Sequence, residues 1–180
     1  MSEAGRLVRY WFEDLRPEQW FKADPAVDRV LAERFGELPD QALAGALDMW
    51  HETAAGTLAL VLVLDQLPRN LYRGTAHAFA YDEVARQVAR HAIARGFDHG
   101  LDLHRRLFLY LPFEHSEALA DQHWAVALIT ALGDPVYTDY AERHRAVIER
   151  FGRFPHRNAA LGRASTAAER AYLAEPGAGF

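Results

Sequence analysis

Cysteine is absent from this 180-residue chain, which excludes disulfides, thiolate metal sites and thiol nucleophiles together. The absence fits a reducing compartment. Lysine occurs once, as Lys22, so the basic side of the composition is arginine, a bias that a GC-rich coding sequence explains before any function does. Long hydrophobic runs are missing as well. The longest strongly apolar stretch, Leu58 to Leu64, falls far short of the roughly 20 residues a membrane-spanning helix needs. The start, Met1-Ser2-Glu3-Ala4-Gly5-Arg6, has neither the basic opening nor the apolar run of a secretory signal. These absences predict a soluble, cytoplasmic protein without membrane contact. A formal net charge of -5 argues against general nucleic-acid binding.

The usual catalytic templates are missing too. There is no Gly-x-Ser-x-Gly elbow, no Walker-type phosphate loop and no Gly-x-Gly-x-x-Gly fingerprint. Nor is there a His-Glu-x-x-His pair or a calcium loop. No metal and no cofactor is expected from these patterns.

What is present reads as helix after helix in a single domain over residues 1–180. Leu7 to Phe12 suggests a short apolar helix, with Trp20 and Phe21 following in a loop. Asp24-Pro25 and Asp134-Pro135 each place a capping carboxylate before a proline suited to a first helical turn. A helical segment is expected from Pro39 to Trp50. Leu58 to Leu67 has the composition of either a buried strand or a buried helix. Its helical surroundings, and the lack of any partner strand, favour a central buried helix. Ala78 to Arg95 is amphipathic, with Val84, Val88 and Ala92 inward, and Gly96 stops it. Leu101 to Leu111 predicts another helix, kinked or ended at Pro112, followed by one over Glu114 to Leu132. Pro135 to Phe151 carries an apolar stripe that includes His144. Thr166 and Glu169 have capping-box spacing and open a last helix ending near Leu173. The fold expected is all-α, with antiparallel helix pairs joined by short turns.

The chemistry-bearing residues gather in three stretches. Asp65, Gln66, Arg69 and Asn70 end the buried helix. Glu114, His115, Ser116, Glu117, Asp121 and Gln122 form the second stretch, in which a helix would align Glu114, Glu117 and Asp121 along one face. The third is the loop Arg150-Phe151-Gly152-Arg153-Phe154-Pro155-His156-Arg157-Asn158. Between residues 143 and 163 the arginines at 143, 145, 150, 153, 157 and 163 face a single carboxylate, Glu149. Arginine forks grip carboxylate or phosphate in two places, which makes this a candidate anion site. Gln66, Arg69, Asn70, Glu117, Gln122, Arg150, Arg153, Arg157 and Asn158 are the candidate ligand-binding residues. Asp65, Glu114, His115 and His156 are candidates for general acid–base chemistry.

Taken together, Tyr10-Trp11-Phe12, Trp20-Phe21, Leu64-Asp65-Gln66-Leu67-Pro68-Arg69-Asn70, Phe108 to Glu117 and Arg150 to Asn158 are distinctive. With the tail Leu161-Gly162-Arg163, Ser165-Thr166 and Glu169, they make the chain resemble a bacterial family known only as a domain of unknown function. The resemblance runs from about Leu7 to Phe180. It implies an all-helical, tetratricopeptide-repeat-like fold, a right-handed superhelical stack of antiparallel helix pairs. It implies no activity, substrate or cofactor.

Three functional readings stand side by side. The first is a binding module for a small anionic ligand or peptide. The second is a hydrolase-type enzyme acting on an anionic small molecule. The third makes the polar stretches a purely structural network, in which case Arg157→Ala destabilises the fold severely, by roughly 3 kcal/mol or more, through uncompensated buried carboxylates. Aromatics at Trp11, Trp20 and Phe180, if exposed, would suit a dimer.

Overall fold

The computed structural model describes residues 1–179, and Phe180 lies outside the described residues. Every regular element among them is helical. By backbone proximity the chain resolves into two compact units, Met1–Arg73 with His77–Pro112, and Gly74–Ala76 with Phe113–Phe180.

In the first unit, α1 (Glu3–Arg9) widens into a π-helical turn at Tyr10–Asp14. The short helix α2 (Pro17–Trp20) stands where a loop was expected. Next comes α3 (Pro25–Phe35), whose first turn is capped by Asp24 Oδ1 accepting from the Ala26 amide at 2.9 Å. The segment expected as one helix from Pro39 breaks into α4 (Leu38–Leu43) and a 3₁₀ turn at Asp48–Glu52, divided at Gly45, where φ is +78°. Only glycine takes that backbone conformation without strain, so a continuous helix stops there.

The centre of this unit is α5 (Ala54–Val61), which runs through a π-turn at Leu62–Gln66 into α6 (Leu67–Leu71). From Gly56 to Pro68 every residue is buried, so the ambiguous Leu-Val-Leu-Val-Leu stretch is the central helix that its surroundings indicated. A helix apolar on every side needs neighbours all round. Here α1 and α7 (Asp82–Ala94) pack on α5, and α4 packs on the π-turn. Gly56 is required by space, since a Cβ there would lie 2.3 Å from the Trp50 carbonyl oxygen. Trp11 and Trp20, considered for an exposed dimer face, are instead buried, and Trp20 Nε1 donates to the Trp11 carbonyl at 2.8 Å. Phe108 holds that cluster from α8 (Leu103–Glu114), with ring centroids 5.6 Å from Trp11 and 5.2 Å from Trp20. Pro112 sits within the last turn of α8, which continues to Glu114.

The second unit begins in that last turn. The helix expected from Glu114 to Leu132 starts only at Leu119, as α9 (Leu119–Thr130). Glu114 ends α8, and Ser116 and Glu117 lie in the turn between, so Glu114, Glu117 and Asp121 do not share a helix face. Gln122 explains the break. Its Nε2 donates to the carbonyls of Glu114 at 2.6 Å and Ser116 at 2.7 Å, satisfying oxygens that the end of α8 leaves open. Residues 131–134 turn the chain into α10 (Pro135–Phe151), capped by Asp134 and packed along α9 as an antiparallel hairpin. Gly152, at φ +67°, ends α10. After an irregular stretch, α11 (Ala167–Leu173) opens with the Thr166–Glu169 capping box.

Candidate functional site

The polar groups after the buried helix of the first unit are tied to one another. Arg69 Nη1 and Nη2 reach Asp82 at 2.8 and 3.0 Å, and Nη1 also donates to the Asp65 carbonyl at 2.6 Å. The Asp65 carboxylate is fully buried, 3.4 Å from Arg69 and bonded by Gln66 Nε2 at 2.6 Å. Burial opposes the Arg69 charge, but Asp65 and Asp82 outweigh it, and the guanidinium pKa is raised. Asn70 is engaged elsewhere, donating to Asp28 at 2.8 Å beside Arg73. Asp65, Gln66, Arg69 and Asp82 therefore form one cluster, and Asn70 belongs to another.

In the second unit much of the arginine-rich loop serves to hold its own shape. Arg163 grips Glu117 with two bonds of 2.7 and 2.9 Å, and the Phe154 amide donates to the same carboxylate at 2.8 Å. Burial alone would raise the Glu117 pKa; these donors overcome it and lower it. Arg153 binds Glu169 through Nε at 2.6 Å and Nη2 at 2.9 Å, and the Thr166 amide adds a third bond at 2.7 Å. Together they bring the Glu169 carboxyl down to about 2. Asn158, which is buried, donates to Ser165 Oγ at 3.1 Å and accepts from Arg163 Nε at 3.0 Å. These bonds replace the regular ladder that Gly152 and Pro155 deny this segment.

Inside that frame the ring of Phe154, itself fully buried, gathers a second set. The Arg157 guanidinium carbon lies 4.5 Å from the ring centroid, with the His144 ring at 5.6 Å and the His156 ring at 5.5 Å. The His115 ring is 6.4 Å from that of His144. His144 Nδ1 sits 2.8 Å from the Tyr140 carbonyl oxygen and 3.4 Å from Glu114 Oε1. Burial pushes the His144 pKa down to about 3, and His115, Arg157 and His156 push in the same direction, while the Tyr140 carbonyl opposes them. His144 is thus a neutral imidazole, its Nδ1 proton directed at a carbonyl. Of the candidates named from sequence, Glu114, His115, His156 and Arg157 come together here. Glu117, Gln122, Arg153 and Asn158 frame them, and Arg150 stands apart on the exposed side of α10.

Three partners were not among the candidates: His144, Arg163 and Glu169. His144 looked like core because it falls on the apolar stripe of α10, and it is indeed buried. Arg163 and Glu169 were visible only as a tail motif, since their partners lie 46 and 16 residues away. Among the described residues no group of three or more His, Asp or Glu side chains is arranged to hold a metal ion. No helix among them is long and apolar enough to cross a membrane.

No curated protein matches the chain. A solved structure of a protein of unknown function from Agrobacterium tumefaciens is similar over 95% of this chain and 96% of its own, at 45% identity and a TM-score of 0.91. Residues 7–177 match the model of the family described as "Bacterial protein of unknown function (DUF924)". The first and last motif stretches both fall inside that span, and the chain belongs to this bacterial family of unknown function.

Proposed function

We propose that the protein is a binding module for a small anionic ligand, engaged in the second unit by His115, His156 and Arg157 around Phe154. The observation that carries this reading is the gathering of His156 and Arg157 on the Phe154 ring, next to the buried pair Glu114–His144 that His115 adjoins. Imidazole and guanidinium donors held in one place bind an anion directionally. The tetratricopeptide-like stacking anticipated from the sequence would present such a site on a recognition surface, in a cytoplasmic protein.

The hydrolase reading is the weaker one for a chemical reason. The buried imidazole beside Glu114, His144, has a pKa of about 3 and is too weak a base to take a proton efficiently near neutral pH. A purely structural role is the other competitor, and it fits Arg153 and Arg163 better than it fits half-buried His115 and His156.

The test is a thermal-shift titration with inorganic phosphate, citrate and a panel of carboxylates on wild type, His115→Gln, His156→Gln and Arg157→Ala. Stabilisation of wild type that the two folded histidine variants lose supports the reading. No stabilisation of wild type by any anion, together with a large melting loss in Arg157→Ala alone, overturns it in favour of structure.

A further inference from the structure

The second unit holds a cavity of about 280 Å³ between α10 and the C-terminal segment, on the outer side of the core that Phe154 shares with Val147 and Ile148. Its apolar side is Val147, Phe151 and Tyr172, the last two with ring centroids 5.3 Å apart and tilted by 48°. Its charged rim carries Arg143 and Arg150, two turns apart on the same face of α10, and Glu175 from the opposite wall. Arg143 Nη2 donates to the Gly177 carbonyl at 3.2 Å and so fixes that wall. Arg150 is different. It is exposed, its guanidinium carbon lies 4.7 Å over the Phe151 ring, and it forms no ion pair among the described residues.

We propose that this cavity binds a small monocarboxylate with an apolar, ring-sized body. Arg150 supplies an uncommitted fork of donors at the mouth, and a guanidinium fork matches a carboxylate in two places. The Phe151 and Tyr172 rings accept a flat apolar body, and the volume lies near the small end of known ligand pockets, which limits that body to about one ring. The rim also sets the charge. Glu175 on the opposite wall repels added negative charge, so a carboxylate monoanion is matched better than a phosphate dianion. The site shares no residue with the His115–His156–Arg157 cluster and does not depend on the function proposed there.

Calorimetric titration with 3-phenylpropionate, its neutral analogue 3-phenylpropanol and phenyl phosphate decides the matter. Wild type is expected to bind the acid and to bind the alcohol and the phosphate ester about tenfold more weakly or worse, the span a charge-assisted hydrogen bond covers. Arg150→Gln, with an unchanged melting temperature, is expected to lose the acid to the same degree, and His115→Gln is expected to keep it. No binding of the acid by wild type overturns the proposal. So does equal binding of acid and alcohol, or an Arg150→Gln variant that binds as wild type does.

Discussion

The two units place charge in protein interior by opposite arrangements. In the first, Asp65 and Asp82 both reach one guanidinium, Arg69, which ties the end of the central helix to the start of α7. In the second, Glu117 pairs with Arg163 and Glu169 with Arg153, while His144, His156 and Arg157 gather on the ring of Phe154, with His115 beside His144. The first is organised around an ion pair and the second around an aromatic ring, and the basic side chains gathered on that ring are why the candidate site is sought in the second unit.

The comparison can be broken most directly at its hub. Arg69→Met removes a cation that both Asp65 and Asp82 contact, and urea denaturation should register a loss of about 3–5 kcal/mol. Arg163→Met should cost less, about 1–2 kcal/mol by the same measurement. Its partner Glu117 is 28% exposed in its side chain, and solvent screens the loss.

Acid sharpens the contrast. The His144 pKa of about 3, against an ordinary 6.5, means that the unfolded chain takes up this proton first as the pH falls. Stability is therefore full above about 6.5 and declines toward 3, with a slope of up to ~1.4 kcal/mol per pH unit. Glu169, lowered from 4.5 to about 2, adds a loss in the same direction once the pH drops below 4.5. His144→Asn, which can still donate toward the Tyr140 carbonyl, should therefore flatten the decline between 4.5 and 6.5. The smallest effect belongs to the surface: Arg150→Gln should move stability by less than about 0.5 kcal/mol, because its one contact is with a ring face.

How much of this was legible depends on how far each signal travels along the chain. Asp24-Pro25, Asp134-Pro135 and Thr166 with Glu169 were read correctly because a cap and its helix are separated by at most three residues. The central helix was legible through its uniform apolarity. The turn at Ser116 was not, because no glycine or proline marks it, and the group that closes it, Gln122, acts through a side-chain amide reaching back to Glu114 and Ser116. Trp11 and Trp20 were undecidable for a similar reason, since their covering residue, Phe108, comes from a distant helix. Within the site, the gathering of Glu114, His115, His156 and Arg157 was anticipated as residue types. The hub, Phe154, and the titrating group, His144, emerge only when α10 and the loop after it are placed.

The placement of tryptophan gives each unit its own optical signature. Trp11, Trp20 and Trp50 all belong to the first unit, while Trp124 is the one indole of the second, 4.4 Å from the Phe113 ring. A difference emission spectrum between wild type and Trp124→Phe therefore reads the second unit by itself. Denaturation followed in that way reveals whether the two units lose their structure in one step or in succession.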